Sequence, residues 1–167
     1  MSGTRAYVPS TLTALRDLVA GGGIGPAPVR AHAVTEALRA DYPDGTEEDW
    51  EYAALSAAAR DSLGLLTDDD PPRRVVVAVD AGAVDPVQAA GEPADPTLVE
   101  LREVVPARAI AAVHVDSADA EQAVAASRTA WADAENGDPA AVALVERCLD
   151  HELGWFATQE IGVLLQG

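Results

Sequence analysis

The chain has 167 residues, a size at which roughly 70% of the unfolded surface is buried and neither a disulfide nor a metal is needed to hold a core. Its formal net charge is −17, all eleven basic residues are arginine, and an exterior of that sign repels phosphate backbones, which argues against nucleic acid as a partner. The one cysteine, Cys148, excludes an intramolecular disulfide.

Residues 5–9 read as a strand, and Ser10 as the cap of a helix carrying Leu12, Leu15, Leu18 and Val19 at helical spacing. GGGIGPAP (21–28) stops that helix. VRAHAV (29–34) reads as a second strand, Thr35 caps a short helix, and YPDG (42–45) breaks it. Thr46, followed by Glu47, Glu48 and Asp49, opens a longer helix with its acidic side chains at the positive end of the dipole. Tyr52, Leu55, Ala59, Leu63 and Leu66 form an apolar stripe on it, and Ala54, Ala57 and Ala58 make much of the rest small, so it is expected to be covered on two sides.

RRVVVAV (73–79) and AIAAVHV (109–115) lack polar alternation and are expected to be interior strands with Val or Ile buried on both faces. Residues 81–97 read as a long surface loop. LVELREVV (98–105) alternates as an edge strand does, and ProAlaArg after it is short enough for a hairpin into 109–115. A helix follows from Asp116 or Ser117 to about Glu135, and Asp138 with Pro139 opens a last helix running to about Leu165. Strands separated by helices imply crossover connections. The expectation is one α/β domain over residues 1–167, with a mixed, mostly parallel sheet of about five strands, packed helices and a helical C-terminal third.

The blocks YVPSTLTALRDLVAGGGIGPAP, AHAVTEAL, EYAALSAAARDSL, RRVVVAVD, AVHVDSADAE and DHELGWFATQEI resemble an actinobacterial family catalogued as a domain of unknown function, over nearly the whole chain. The resemblance implies a bacterial cytoplasmic source and brings no activity, cofactor or catalytic residue. Phe156 stands where members of that family often have tyrosine. The N-terminal stretch lacks the basic and long apolar regions of a signal peptide, and no window approaches a membrane span, which also points to the cytoplasm.

The densest cluster of functional side chains is Asp150 to Ile161. On a helix, His151, Trp155 and Gln159 form one stripe, with Glu152, Phe156 and Glu160 beside it. A histidine and carboxylates near aromatics suit acid–base work or a small polar ligand. A helix docked through Leu149, Phe156 and Ile161 is the plainer reading. His114 and Asp116 share a face at a strand end and, with Ser10, Thr11, Thr35 and Asp80, are expected to line a cleft beyond the strands. His151–Glu152 opens like a zinc-protease motif, but Trp155 stands where the second histidine belongs, so neither metal nor cofactor is expected. GGGIGP has the wrong spacing for a dinucleotide, and without lysine there is no P-loop. These features favour a non-catalytic binding or regulatory module whose partner is a protein or a small polar ligand. The alternative is a small hydrolase using His151, Glu152 and His114. The oligomeric state stays open.

Overall fold

A computed structural model describes residues 3–87 and 95–166. In chain order the elements are β1 (Thr4–Ser10), α1 (Leu12–Val19), β2 (Val29–Ala33), α2 (Glu36–Asp41), α3 (Glu47–Leu65), β3 (Val75–Ala81), β4 (Val84–Pro86) and β5 (Leu98–Leu101). They continue with β6 (Ile110–Val115), α4 (Glu121–Glu135), α5 (Pro139–Leu149), β7 (Gly154–Ala157) and α6 (Ile161–Leu164). Side-chain caps start most of the longer helices. Thr11, Thr35 and Asp138 each accept an N–H from the first turn of α1, α2 and α5, and Thr46 forms a capping box with Asp49. The cap of α1 is thus Thr11, one residue beyond the expected Ser10.

The expected mostly parallel sheet of about five strands is overturned. Seven strands are ordered β4-β5-β2-β1-β3-β6-β7, and every pairing is antiparallel. The reason lies in what fills each crossover. The passage β2–α2–α3–β3 does return the chain in the same direction, but β1 occupies the slot between the two strands and runs against both. Between β6 and β7 the chain makes two helical passes, α4 and α5, and so comes back antiparallel to its neighbour. The expected hairpin of 98–105 with 109–115 does not form. β5 pairs with β2 and β4, so it is not an edge, and residues 107–109 make a 3-10 turn instead.

β3 and β4 are separated by two residues yet stand four places apart in the sheet. Four steps of about 4.8 Å would span about 19 Å in a flat sheet, whereas the link reaches about 11 Å at most. The sheet must therefore curl. β4 also lies within the segment expected to be a loop, of which residues 88–94 fall outside the described residues.

The curled face encloses Ala6, Val8, Val75, Val77, Val79, Val99, Leu101, Val113 and Val115, closed by Leu12, Leu15 and Leu18 of α1 and by Ile161. On the opposite face Ala54, Ala58 and Ala59 of α3 pack on Tyr7, Val76, Ala78 and Ala112. Leu63 of α3 continues into a third cluster with Val124 of α4 and Val145 and Cys148 of α5, so α3 is covered on two sides. β3 is buried on both faces by valines and Ala78. β6 is interior too, but its second face carries Ala112 and the half-buried His114 in place of the expected Val or Ile.

The expected helix over 139–165 ends at Leu149. The chain turns and returns as β7 along the open edge of β6. Leu149 then belongs to the α4–α5 cluster, while Phe156 and Ile161 pack into the curled sheet, so the three do not form one stripe.

One buried ion pair holds this return in place. The Asp116 carboxylate accepts the Arg74 backbone N–H and Nε at Oδ2, both at 2.8 Å, and Nη2 at Oδ1, also at 2.8 Å. Arg74 Nη2 donates further to the His151 carbonyl at 2.7 Å. The two side chains are 1% and 0% exposed. Removing one partner strands a buried charge. Asp116→Ala is expected to lower unfolding free energy by about 3–5 kcal/mol in a denaturant titration, and the double change Arg74→Met with Asp116→Leu to cost less than that.

Candidate functional site

The register of β6 with β7 sets His114 opposite Trp155 and Val113 opposite Phe156. The Ala157 N–H is given to Glu160 Oε2 at 2.8 Å rather than to β6. Hence 112/157 and 114/155 are the non-hydrogen-bonded pairs, in which facing side chains lie closest. Trp155 is 62% exposed beside the half-buried His114.

On the same face Tyr7 of β1 lies opposite Ala78, which lies opposite Ala112. Two alanines leave room for the Tyr7 ring to meet His114 edge-on, with centroids 6.3 Å apart and planes at 61°. Leu55 of α3 and Leu153 pack on this cluster. Both also line a cavity of about 140 Å³ with Tyr52, Ser56, Arg74, Leu149, His151 and Glu152. His114 does not line that cavity, so the structure does not gather His114 and His151 into one pocket, and Leu55 with Leu153 forms the wall common to both places.

Burial raises the Tyr7 phenol above its usual range, the Glu51 carboxylate adds to this, and Arg5 opposes it. Burial lowers the His114 imidazole, and the Arg5 charge lowers it further. At neutral pH the pair is therefore a neutral imidazole beside a protonated phenol. Neither the Tyr7 hydroxyl nor a His114 ring nitrogen has a hydrogen-bond partner among the described residues, yet neither is sealed from solvent. Among the described residues, the sealed side-chain nitrogen without a partner is Arg128 Nε, on α4.

The remaining expected site residues go to separate duties. Asp116 is 2% exposed and held in the ion pair with Arg74. Glu160 covers an outward N–H of the edge strand, and Gln159 is exposed in the turn that follows, where its Oε1 accepts from Thr158 at 3.3 Å. The helical stripes His151–Trp155–Gln159 and Glu152–Phe156–Glu160 do not form, because the block is a turn, a strand and a 3-10 turn. The expected row of strand ends is split between the two edges of the sheet, with Ser10 and Val115 both opposite Val75 and with Thr35 and Asp80 toward the other edge. In an antiparallel sheet the ends of neighbouring strands lie at opposite edges, so Ser10 and Thr11 end β1 beside Val75 while Thr35 follows β2 at the other side. Asp80 is paired with Arg5 at 3.0 Å.

Two features were not read from the sequence. Tyr7 and Tyr52 join the site only because β1 is central and α3 lies over it. The other feature is a relay centred on buried His32. His32 Nε2 lies 2.6 Å from Asp61 Oδ2 and its Nδ1 lies 2.7 Å from Thr97 Oγ1, which donates to Asp95 Oδ1 at 2.7 Å. Carboxylate, imidazole and hydroxyl are the groups of a nucleophile relay. Thr97 is only 4% exposed, so the relay works as a tie among β2, α3 and the approach to β5. Its members are 29 and 65 residues apart in sequence, with no local signal.

A family model covers residues 4–165 of this sequence. The chain belongs to DUF6912, a family of unknown function. That agrees with the resemblance to a family of unknown function over nearly the whole chain. No curated protein and no solved structure matches the chain. Among the described residues no helix is long and apolar enough to cross a membrane, and no three His, Cys, Asp or Glu side chains gather as a metal-binding group.

The lowered His114 has a consequence for stability. The unfolded chain takes up a proton at this position near the ordinary histidine range, while the folded chain resists it. Stability contributed by neutral His114 is therefore present above that range and is lost as pH falls through it. In denaturant titrations across mildly acidic pH, His114→Gln is expected to show a shallower loss of stability than the parent. An unchanged slope would show that His114 is not held neutral by the fold.

Proposed function

We propose that this chain is a binding module of a bacterial, actinobacterial cytoplasm, and that its ligand is a small, uncharged, planar molecule with adjacent hydrogen-bond donor and acceptor groups. The seat is the sheet face around Tyr7 and His114, beside the cavity that Tyr52, Leu55 and Leu153 line. The observation that carries the reading is the Tyr7–His114 pair, whose hydroxyl and ring nitrogens have no hydrogen-bond partner among the described residues, with exposed Trp155 opposite His114 in the sheet. Partly buried polar groups without partners are costly, and a ligand offering complementary groups removes that cost. An exposed indole beside the pair suits a flat ligand. The net charge of −17 disfavours phosphate-bearing ligands and nucleic acid alike.

The test is a titration of ¹⁵N-labelled protein with nicotinamide, uracil and adenosine as probes. Chemical-shift changes are expected at His114, the Trp155 indole and Tyr52. Tyr7→Phe and His114→Leu should each weaken the apparent affinity by about five- to tenfold, the worth of one hydrogen bond. Absence of shifts at these residues up to about 10 mM probe would overturn the reading, since that is weaker than a built site gives.

A further inference from the structure

A second concavity lies at the corner where α2 meets α3, away from β6 and β7. It has a volume of about 430 Å³ and is lined by Asp41, Tyr42, Pro43, Asp44, Gly45, Asp49, Trp50 and Ala53. Its composition departs from the rest of this aromatic-poor chain. Two large rings and three carboxylates meet there without a basic residue in the lining.

The Trp50 ring is fixed from several sides. Its Nε1 donates to the Tyr42 carbonyl at 3.0 Å. Gly45 passes so close that a Cβ there would stand 2.8 Å from Trp50 Nε1, so only glycine fits that approach. Arg39 lies over the ring with Cζ 4.7 Å from the centroid, and Glu47 holds the guanidinium at 2.9 Å. That ring is already engaged with one cation. Arg39 does not line the cavity, so the guanidinium leaves the cavity side of the indole uncovered.

The carboxylates divide by duty. Asp49 is spent on Thr46, whose backbone N–H and hydroxyl it accepts at 2.8 and 3.0 Å. Asp41 and Asp44 have no ion-pair partner among the described residues and stand on the same rim as Tyr42, which is 62% exposed. Rings attract an organic cation through their quadrupole, and carboxylates add a charge that a neutral apolar pocket lacks. A hydrated metal ion gains little from indole and phenol walls, whereas an alkylated ammonium buries its methyl groups against them.

We propose that the Tyr42–Trp50 cavity is a binding site for an alkylammonium group, carried either by a free quaternary amine or by a lysine side chain. The site shares no residue with the Tyr7–His114 pair, so either can fail without the other.

The experiment follows the Trp50 indole N–H and the Tyr42 amide in ¹⁵N-labelled full-length protein at low ionic strength. The probes are choline, its uncharged isostere with carbon in place of the ammonium nitrogen, and acetyl-lysine amide with a free side-chain amine. Choline or the lysine derivative is expected to shift both signals saturably, and whichever binds more tightly identifies the source of the ammonium. Tyr42→Ala, at an exposed position, should weaken binding by about two- to fivefold. Asp44→Asn should weaken it and flatten its salt dependence. Equal binding of the uncharged isostere, shifts reproduced by sodium chloride alone, or affinity unchanged in both variants would overturn the proposal.

Discussion

Arg74 and Asp116 sit at the start of β3 and just past the end of β6, and burying them together is the constraint from which the rest of the sheet's second half follows. A guanidinium and a carboxylate at almost no exposure are tolerable only when their hydrogen-bonding groups are largely used. Here the carboxylate takes three donors, one of them the arginine's own backbone N–H, and the guanidinium takes the His151 carbonyl as well. That last bond is made to the turn between α5 and β7. It draws the end of the helical hairpin back to the sheet and sets the point from which the chain runs along β6.

The candidate site is a consequence of that return. With β7 beside β6, Trp155 stands opposite His114, and the turn residues His151 to Leu153 line the neighbouring cavity beside α3. Small side chains determine how closely α3 approaches. Ala54 and Ala58 pack with Ala78 and Ala112, so helix and sheet approach closely, while Tyr52 and Leu55 line the cavity beside them. The scarcity of large aromatics thus serves the packing, and three of the few that are present line cavities, Tyr52 at one place and Tyr42 with Trp50 at another.

Local signals in the sequence were sufficient for most helix starts and for the central strands. Thr35, Thr46 and Asp138 cap as their position before an acidic or apolar turn implies, and the valine run at 75–79 is buried on both faces. Of the site, His114 and Trp155 were legible as chemistry-bearing residues, but their partners were not. Tyr7 lies more than 100 positions from His114, and the two meet only through the order β1-β3-β6. Residues 139–165 read as one helix because Trp155, Phe156 and Gln159 fit helical spacing as well as they fit a short strand. No property of residues 154–157 alone reveals the open strand edge waiting for them.

What the sequence by itself determined, then, was where backbone hydrogen bonds begin and end: caps, breakers and runs of β-branched side chains act within a few residues and need no distant partner. Tertiary structure alone decided strand direction, neighbour order and which polar groups share a cleft. A crossover's sense depends on how many passes it makes and on whether another strand fills the gap, as β1 does between β2 and β3. Those choices are settled by the burial of whole faces and by one ion pair joining residues 42 positions apart, energies that exist only once the sheet has curled around its core.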